Sequence, residues 1–309
     1  MTENVEITNI PENARCGFVA LIGAPNAGKS TLMNRMVGGK VSIVTHKVQT
    51  TRSQIRGIAI HKEAQLIFVD TPGIFLPKKR LERAMVSAAW NGAGDAEIVV
   101  VLHDAGRKKI GEETRSIIAG LQKQNRKAIL ALNKIDSINP EKLLQLAQEF
   151  MATEVFSDIF MISALEGNGV KDLMDHLAKT VPAGVWLYPE DQLSDLPMRS
   201  IAAEITREKL FLNLHDELPY NLTVETESWE DFEDGSVKIT QMIYVQREQH
   251  KAMCLGKGGR TIKLIRSKAQ ADLQESLERK VHLFLYVKVR EKWADDPERY
   301  REMGLDFNS

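Results

Sequence analysis

The sequence predicts an α/β chain, a doubly wound and mostly parallel sheet followed by a smaller α+β domain. Three observations carry this. Apolar runs rich in Val, Ile and Leu alternate with helical patterns from Phe18 to Lys179, as buried strands and their covering helices require. A glycine-rich segment follows the first run and opens the first helix. Beyond Pro197 the order changes to a helix, two strands of period two, two helices and a last strand. The expected domains are 1–182 and 198–309, joined by a linker at 183–197 that is rich in Pro, Asp and Gly and poor in periodicity. A length of 309 residues agrees with about two domains.

Composition excludes several classes. A hydrophobic content of 43% with 27% charged residues is that of an ordinary globular chain. No apolar run approaches the roughly 18 residues of a membrane span, and Met1–Glu6 lacks a basic-then-apolar leader. Cys16 and Cys254 lie far apart without metal-type spacing, which argues for a reducing compartment and against a disulfide framework or zinc site. A cytoplasmic location is expected. The net charge of −1 hides an asymmetry. Residues 1–182 hold 23 basic against 19 acidic residues, a net of +4, and residues 183–309 hold 18 against 23, a net of −5. Overall charge therefore does not advertise nucleic acid, and only local clusters do so.

Phe18–Ile22 is the first strand, and Gly23-Ala24-Pro25-Asn26-Ala27-Gly28-Lys29-Ser30-Thr31 carries it into the helix that continues through Met36. Gly, four residues, then Gly-Lys-Ser in that context is a phosphate-binding loop. Its glycines admit backbone that a Cβ blocks, and amides at the helix N-terminus cradle an anion. Lys29 then reaches the β- and γ-phosphates, and the Ser30 hydroxyl ligates Mg²⁺. After Val41–Val44 and the polar Gln49–Ser53 come strands at Ile55–His61 and Gln65–Val69. The second delivers Asp70-Thr71-Pro72-Gly73 at its tip, where Asp70 holds the Mg²⁺ shell through water and the Gly73 N–H senses a γ-phosphate. Asp-x-x-Gly alone is a common turn, and its place after a phosphate loop gives it weight.

A helix at Pro77–Ala93, a buried strand at Glu97–Leu102 and a helix at Gly111–Gln124 lead to the strand Lys127–Leu132. That strand ends in Asn133-Lys134-Ile135-Asp136, which selects the base: a carboxylate accepts from both the N1–H and the exocyclic amine of guanine, and adenine offers no such pair. Helix 140–152 precedes strand Ile159–Ile162, whose extension Ser163-Ala164-Leu165 brings backbone toward the guanine O6. Every motif stands at a strand's carboxyl end, where an open doubly wound sheet forms its crevice. The expected ligands are GTP or GDP with Mg²⁺.

Helix Val170–Lys179 closes the first domain. In the second, a helix at Ser200–Asp216 is stopped by Leu218-Pro219, and Asn221–Glu227 and Val237–Val245 alternate with period two around the hairpin signal Asp234-Gly235. Lys251–Lys280 reads as helical except at Gly256-Lys257-Gly258-Gly259, and Val281–Val289 is the last strand. From Arg247 to Lys268 seven basic residues face Glu248 alone. This order resembles a type II KH domain, in which a Gly-x-x-Gly loop lets backbone approach four nucleotides of single-stranded RNA. On that resemblance Gly256, Lys257, Gly258, Gly259, Arg260 and Lys263 contact RNA. A plain helix–helix turn beside a solvated basic helix is the alternative.

The four nucleotide motifs resemble translation-factor-class GTPases. With Gln49-Thr50-Thr51-Arg52, Glu217-Leu218-Pro219-Tyr220 and the terminal Val287–Asp296, the chain is similar from about Cys16 to Asp296 to the Era family of bacterial GTPases. The resemblance implies a P-loop GTPase domain with a type II KH domain, binding to the 3′ end of 16S rRNA, assistance to assembly of the 30S subunit, and peripheral contact with the inner face of the plasma membrane. It also implies a GTP-bound form competent for RNA; a monomer is expected. The segment holding Thr50 and Thr51 becomes the switch, with Thr51 favoured over Thr50 as the Mg²⁺ ligand and Lys29, Thr51 and Gly73 as catalytic. Ile74 stands where Ras-type proteins place a water-orienting glutamine, so intrinsic hydrolysis is expected to be slow. Asn26 occupies the place of a K⁺ ligand in potassium-activated relatives, and the open alternative is that it shapes the loop. Two positions depart from the pattern: Cys254 replaces the usual Ile, and Arg266 stands where Gly is common. A membrane-associated GTP-dependent scaffold is the runner-up. A tRNA-modification GTPase, which shares Asn26 and Thr50-Thr51-Arg52, is disfavoured because such proteins carry a cysteine-bearing tail and this sequence ends Asp306–Ser309.

Overall fold

The computed structural model describes residues 11–308 apart from 48, 49, 53, 78, 108, 217, 292, 294 and 295. Gln49 and Glu217, and Ala294 and Asp295 of the terminal motif, lie outside the described residues. The chain divides into two compact units, the first comprising 1–42, 51–195 and 304–309 and the second 43–50 and 196–303.

In the first unit the elements run β1 (Arg15–Gly23), α1 (Lys29–Val37), β2 (Ile55–His61), β3 (Ala64–Asp70), α2 (Arg80–Asp95), β4 (Ile98–Asp104), α3 (Glu112–Lys123), β5 (Ala128–Asn133), α4 (Pro140–Met151), β6 (Phe156–Ile162) and α5 (Val170–Thr180). The strands form one six-stranded sheet in the order β2-β3-β1-β4-β5-β6. Every pair is parallel except β2 with β3, a hairpin too short for a crossover. Leu21, Ile22, Val100, Val101, Leu130 and Leu132 are fully shielded, as strands covered on both faces must be. Each such aliphatic side chain contributes about 1.5–3 kcal/mol by leaving water. Helix α5 buries Val170, Leu173, Met174, Leu177 and Ala178, the i, i+3, i+4, i+7, i+8 stripe of a surface helix. Because β1 lies between β3 and β4, successive connections leave it in opposite directions. The crevice at this switch point holds the carboxyl ends of β1 and β3.

The stretch 183–197 differs from a free linker. Trp186 is 5% exposed, and the Gln65 carboxamide oxygen accepts the N–H groups of Leu187 and Tyr188 at 2.8 and 3.0 Å. Leu193 accepts the Ile58 N–H at 2.9 Å. The segment straps the first unit as far as Asp195 because its apolar side chains and backbone find partners there. Aperiodic composition signals irregular backbone, and it is silent on whether that backbone is tethered.

The second unit holds α6 (Met198–Asn213), β7 (Leu222–Asp231), β8 (Val237–Val245), α7 (Glu248–Leu255), α8 (Arg260–Leu277), β9 (Val281–Val289) and α9 (Pro297–Glu302). Its sheet has the order β7-β8-β9, antiparallel then parallel. The β7–β8 turn uses Gly235 at φ 79° and the Asp234 carboxylate, which accepts the Ser236 N–H at 3.0 Å. Ile239, Ile243 and Leu283 face the buried sides of α6 and α8. Trp293 is 1% exposed and its indole N–H donates to the Asn221 carbonyl at 3.2 Å, sealing the core. The segment Ile43–Thr50 clusters here: Glu208 accepts the Val44 N–H at 3.1 Å and Arg207 donates to the Thr50 carbonyl.

Candidate functional site: a guanine-nucleotide cradle and an open glycine loop

The end of β1 and the start of α1 frame the phosphate loop. Gly28 has φ 99°, and a Cβ there would lie 2.2 Å from the Asn133 carboxamide nitrogen. A Cβ on Gly23 would lie 2.6 Å from the Leu102 carbonyl. Gly28 is therefore required by its left-handed backbone as well as by what stands behind the loop, and Gly23 by what stands behind it. Asn26 takes a left-handed conformation at φ 63°, which Asn tolerates, and is exposed. Ala24 and Ala27 are buried, Pro25 is half-buried, and Thr31 is half-buried in the first turn of α1.

Lys29 lies along the loop and donates to the carbonyls of Gly23 and Ala24 at 3.2 and 3.3 Å. Burial lowers its pKa to about 8, opposed by the charge of Asp70. One oxygen of Asp70 accepts three hydroxyls: Ser30 at 2.7 Å, Ser42 at 2.8 Å and Thr51 at 3.3 Å. Ser30 and Thr51 are themselves 3.1 Å apart. Burial pushes the Asp70 carboxyl up, countered by Lys29 and by those hydroxyls. The second oxygen, Oδ1, is buried without a partner. A buried carboxylate oxygen left over beside two converging hydroxyls fits a hydrated divalent cation. Thr50 stands apart from this cluster, bonded to Lys47 O at 2.7 Å and Thr45 Oγ1 at 2.6 Å.

The Asp70–Ile74 turn touches the cradle at Pro25, since a Cβ on Gly73 would lie 3.1 Å from the Pro25 Cα and nitrogen. Thr71 donates to the Leu21 carbonyl at 2.9 Å, and Pro72 is buried. Ile74 is 2% exposed, packs in the core and donates its N–H to Gly23 O at 3.1 Å. It presents no side chain to a nucleotide.

Asn133 braces the cradle from behind. Its carboxamide donates to the Ala27 carbonyl at 2.8 Å and accepts the Ala164 N–H at 2.9 Å, tying the phosphate loop to the Ser163–Leu165 loop. Lys134, in a left-handed conformation, pairs with Asp104 at 2.7 Å. Ile135 and Asp136 form a single 3₁₀ turn in which Asp136 is exposed, its carboxylate open to a base. Ser163 is buried and Leu165 is 66% exposed. Three participants escaped the sequence motifs. Ser42 is placed by Asn34, which accepts the Val41 and Ser42 N–H groups at 3.0 and 2.9 Å. Arg35 donates to the carbonyls of Ala164 and Leu165. Arg107 donates to the Pro25 carbonyl at 3.1 Å. The interrupted apolar run Val41-Ser42-Ile43 is the one sequence signal for Ser42.

In the second unit α7 ends at Gly256, and Lys257–Gly259 make a 3₁₀ turn into α8. Gly258 and Gly259 have φ 62° and 73°, and a Cβ on either would meet nothing within 4 Å. Lys257, Arg260, Lys263 and Arg266 are exposed along the loop and the first turns of α8. Cys254 is fully buried behind the loop, where burial pushes its thiol up to about 12.

Comparison with known proteins decides the family. Residues 18–134 match a family described as 50S ribosome-binding GTPase, and residues 217–294 match the KH domain. The chain is 60% identical over 293 residues to GTPase Era of Rhizobium meliloti, covering 95% of this chain and 93% of that one. This chain belongs to the Era family of GTPases. The Era protein of Agrobacterium fabrum is 58% identical over 308 residues, 99% of this chain and 96% of its own. Two solved Era structures superpose with TM-scores of 0.88 at 36% identity, each covering 94% of this chain and 99% of the other. One is an Aquifex aeolicus Era variant bound to GDP and aluminium fluoride; the other is an Era complex with MgGDPNP and nucleotides 1506–1542 of 16S ribosomal RNA. The doubly wound GTPase domain and the type II KH element order are thus those of Era, and GTP or GDP with Mg²⁺ are its ligands. Among the described residues no helix is long and apolar enough to cross a membrane.

Proposed function

We propose that this Era-family GTPase is a slow nucleotide switch whose output is binding of the 3′ end of 16S rRNA during assembly of the 30S subunit. The observation that carries the reading is the open, positive-φ loop at Gly258 and Gly259, flanked by exposed basic side chains, in the same chain as a built phosphate cradle. An Era relative solved with 16S rRNA nucleotides supports it. Lys29 and the loop amides would bind and orient the phosphates, and Ser30 and Thr51 would hold Mg²⁺ directly with Asp70 behind them through water. Mg²⁺ supplies neutralisation of the charge that develops on the β–γ bridge. The Gly73 N–H reads the γ-phosphate, and Asp136 reads guanine. Arg207 and Glu208 fasten the backbone of Thr50 and Val44 within the second unit. Lacking a glutamine at Ile74, hydrolysis proceeds slowly; Asn26 would ligate a potassium ion in this reading, and equal rates in KCl and NaCl would leave it a loop-shaping residue.

Crosslinking of bound RNA in the GTP and GDP states, followed by sequencing, tests the reading. Enrichment of the 16S 3′ end with GTP alone supports it, and uniform recovery of RNA in both states overturns it. Peripheral membrane contact is a second reading, favoured by Met253 and Leu264, 57% and 48% exposed on the helices that carry the basic residues. Flotation with anionic vesicles at physiological salt checks it.

A further inference from the structure

Hydrolysis of a phosphoric anhydride places negative charge on the β–γ bridge and the γ-phosphoryl oxygens, and the enzyme's task is to meet that charge with fixed donors. The Asp70–Ile74 turn leaves none free in its side chains, since Ile74 is a core residue and the Thr71 hydroxyl is given to the Leu21 carbonyl. A cation outside the recognised motifs, Arg107, reaches the cradle at the relevant end. The base end is marked by Ala27 and Gly28, which lie against Asn133, and the γ-phosphate end by Pro25, which lies against Gly73. Arg107 donates from Nη2 to the Pro25 carbonyl at 3.1 Å.

The mounting of Arg107 is rigid in backbone and loose in side chain. Its N–H donates to Asp104 O at 3.1 Å, and the Gly106 N–H caps the Asp104 carboxylate at 2.9 Å. The guanidinium faces one other acceptor among the described residues, Glu113 at 3.7 Å, a long ion pair with both side chains more than a third exposed. A surface pair of this kind contributes little and releases readily. A neutral carbonyl is also a weak acceptor for a guanidinium, and a phosphoryl oxygen bonds it about twice as strongly in a fork that arginine fits.

We propose that Arg107 is a catalytic residue built into this chain, a cis-acting arginine that leaves the Pro25 carbonyl for the γ-phosphoryl oxygens as hydrolysis proceeds. The inference rests on the reading that Gly73 marks the γ-phosphate end. In the step a water oxygen bonds to the γ-phosphorus, the bond from that phosphorus to the β–γ bridging oxygen breaks, and the electron pair stays on GDP. The water's protons end on phosphate and solvent, and Arg107 supplies charge without exchanging a proton.

Three measurements on the full-length protein decide it: single-turnover GTP hydrolysis, GDP affinity, and formation of the GDP–aluminium fluoride complex. Arg107→Ala should slow hydrolysis by about 10³-fold and abolish the fluoride complex, with GDP affinity within about threefold. Arg107→Gln keeps a donor for Pro25 without the charge and should be as slow as Arg107→Ala. Hydrolysis by Arg107→Gln at the wild-type rate would show that the residue only shapes the loop. A parallel fall in rate and GDP affinity, or a rate unchanged by Arg107→Ala, overturns the proposal as well. Asp70→Ala and Gly73→Ala measured alongside separate this failure from failure of the underlying site, because a site placed wrongly would leave hydrolysis indifferent to them too.

Discussion

The chain carries two glycine-rich loops proposed to meet phosphate-bearing ligands, and they are built on opposite plans. The loop at Gly23–Ser30 is packed from behind: a Cβ on Gly28 or Gly23 would run into Asn133 or the Leu102 backbone within 2.6 Å. The loop at Gly256–Gly259 is open in front, with nothing within 4 Å of a Cβ on Gly258 or Gly259. In the first, neighbours exclude a Cβ at both glycines and conformation excludes one at Gly28; in the second, Thr261 closes off Gly256, while Gly258 and Gly259 are demanded by conformation with open space in front of them. The first suits a small anion gripped on all sides, and the second a polymer that lies across a surface.

The largest expected effects compare equivalent substitutions. Gly28→Ala should lower GDP affinity by at least about 100-fold, because the new methyl overlaps a buried carboxamide. Gly258→Ala faces only the left-handed backbone cost of about 1–2 kcal/mol and should weaken RNA binding by roughly tenfold. Titration with labelled GDP and with RNA checks both, and equal losses would break the contrast. Charge then sharpens it: Gly258→Asp with Gly259→Asp should remove RNA binding by about 100-fold or more, by repulsion of phosphates, while GTP hydrolysis without RNA stays within twofold. Filter binding and a phosphate-release assay report the two.

Smaller effects come from the supports. Asn133→Ala unties the phosphate loop from the Ser163–Leu165 loop and should cost about tenfold in GDP affinity, through two lost buried hydrogen bonds. No such strut stands behind Gly258, so RNA affinity should not follow. Cys254→Ser places a hydroxyl in the apolar core behind the open loop and should lower the second unit's stability by about 1–3 kcal/mol, seen in urea unfolding, with RNA affinity unchanged at low temperature.

Much of this was legible in the residues. Strands Ile55–His61, Val237–Val245 and Val281–Val289 have the limits their patterns predict, because apolar periodicity and flanking turn residues agree there. The motifs of the cradle stand at strand ends because spacing alone places them. What pairing across the sheet decides was not legible. Ser42 joins Asp70 across 28 positions only because β3 lies beside β1, and Arg107 reaches Pro25 across 82 only because β4 lies on its other side. The strap at 183–195 was hidden for a related reason, since Gln65, which holds it, is a polar residue inside a strand and reads from sequence as solvent-facing. Thr50 and Thr51 are adjacent in sequence and separate in structure, one bonded to its own loop and the other beside Asp70.

In the proposed switch the gripped loop controls the open one. The most direct measurement is the affinity of the full-length protein for an oligonucleotide of the 16S rRNA 3′ end, by fluorescence anisotropy, with GDP and with a non-hydrolysable GTP analogue. Tighter binding with the analogue, by about tenfold or more, is the predicted result, a coupling of about 1.4 kcal/mol. Equal affinities in the two states would contradict that control.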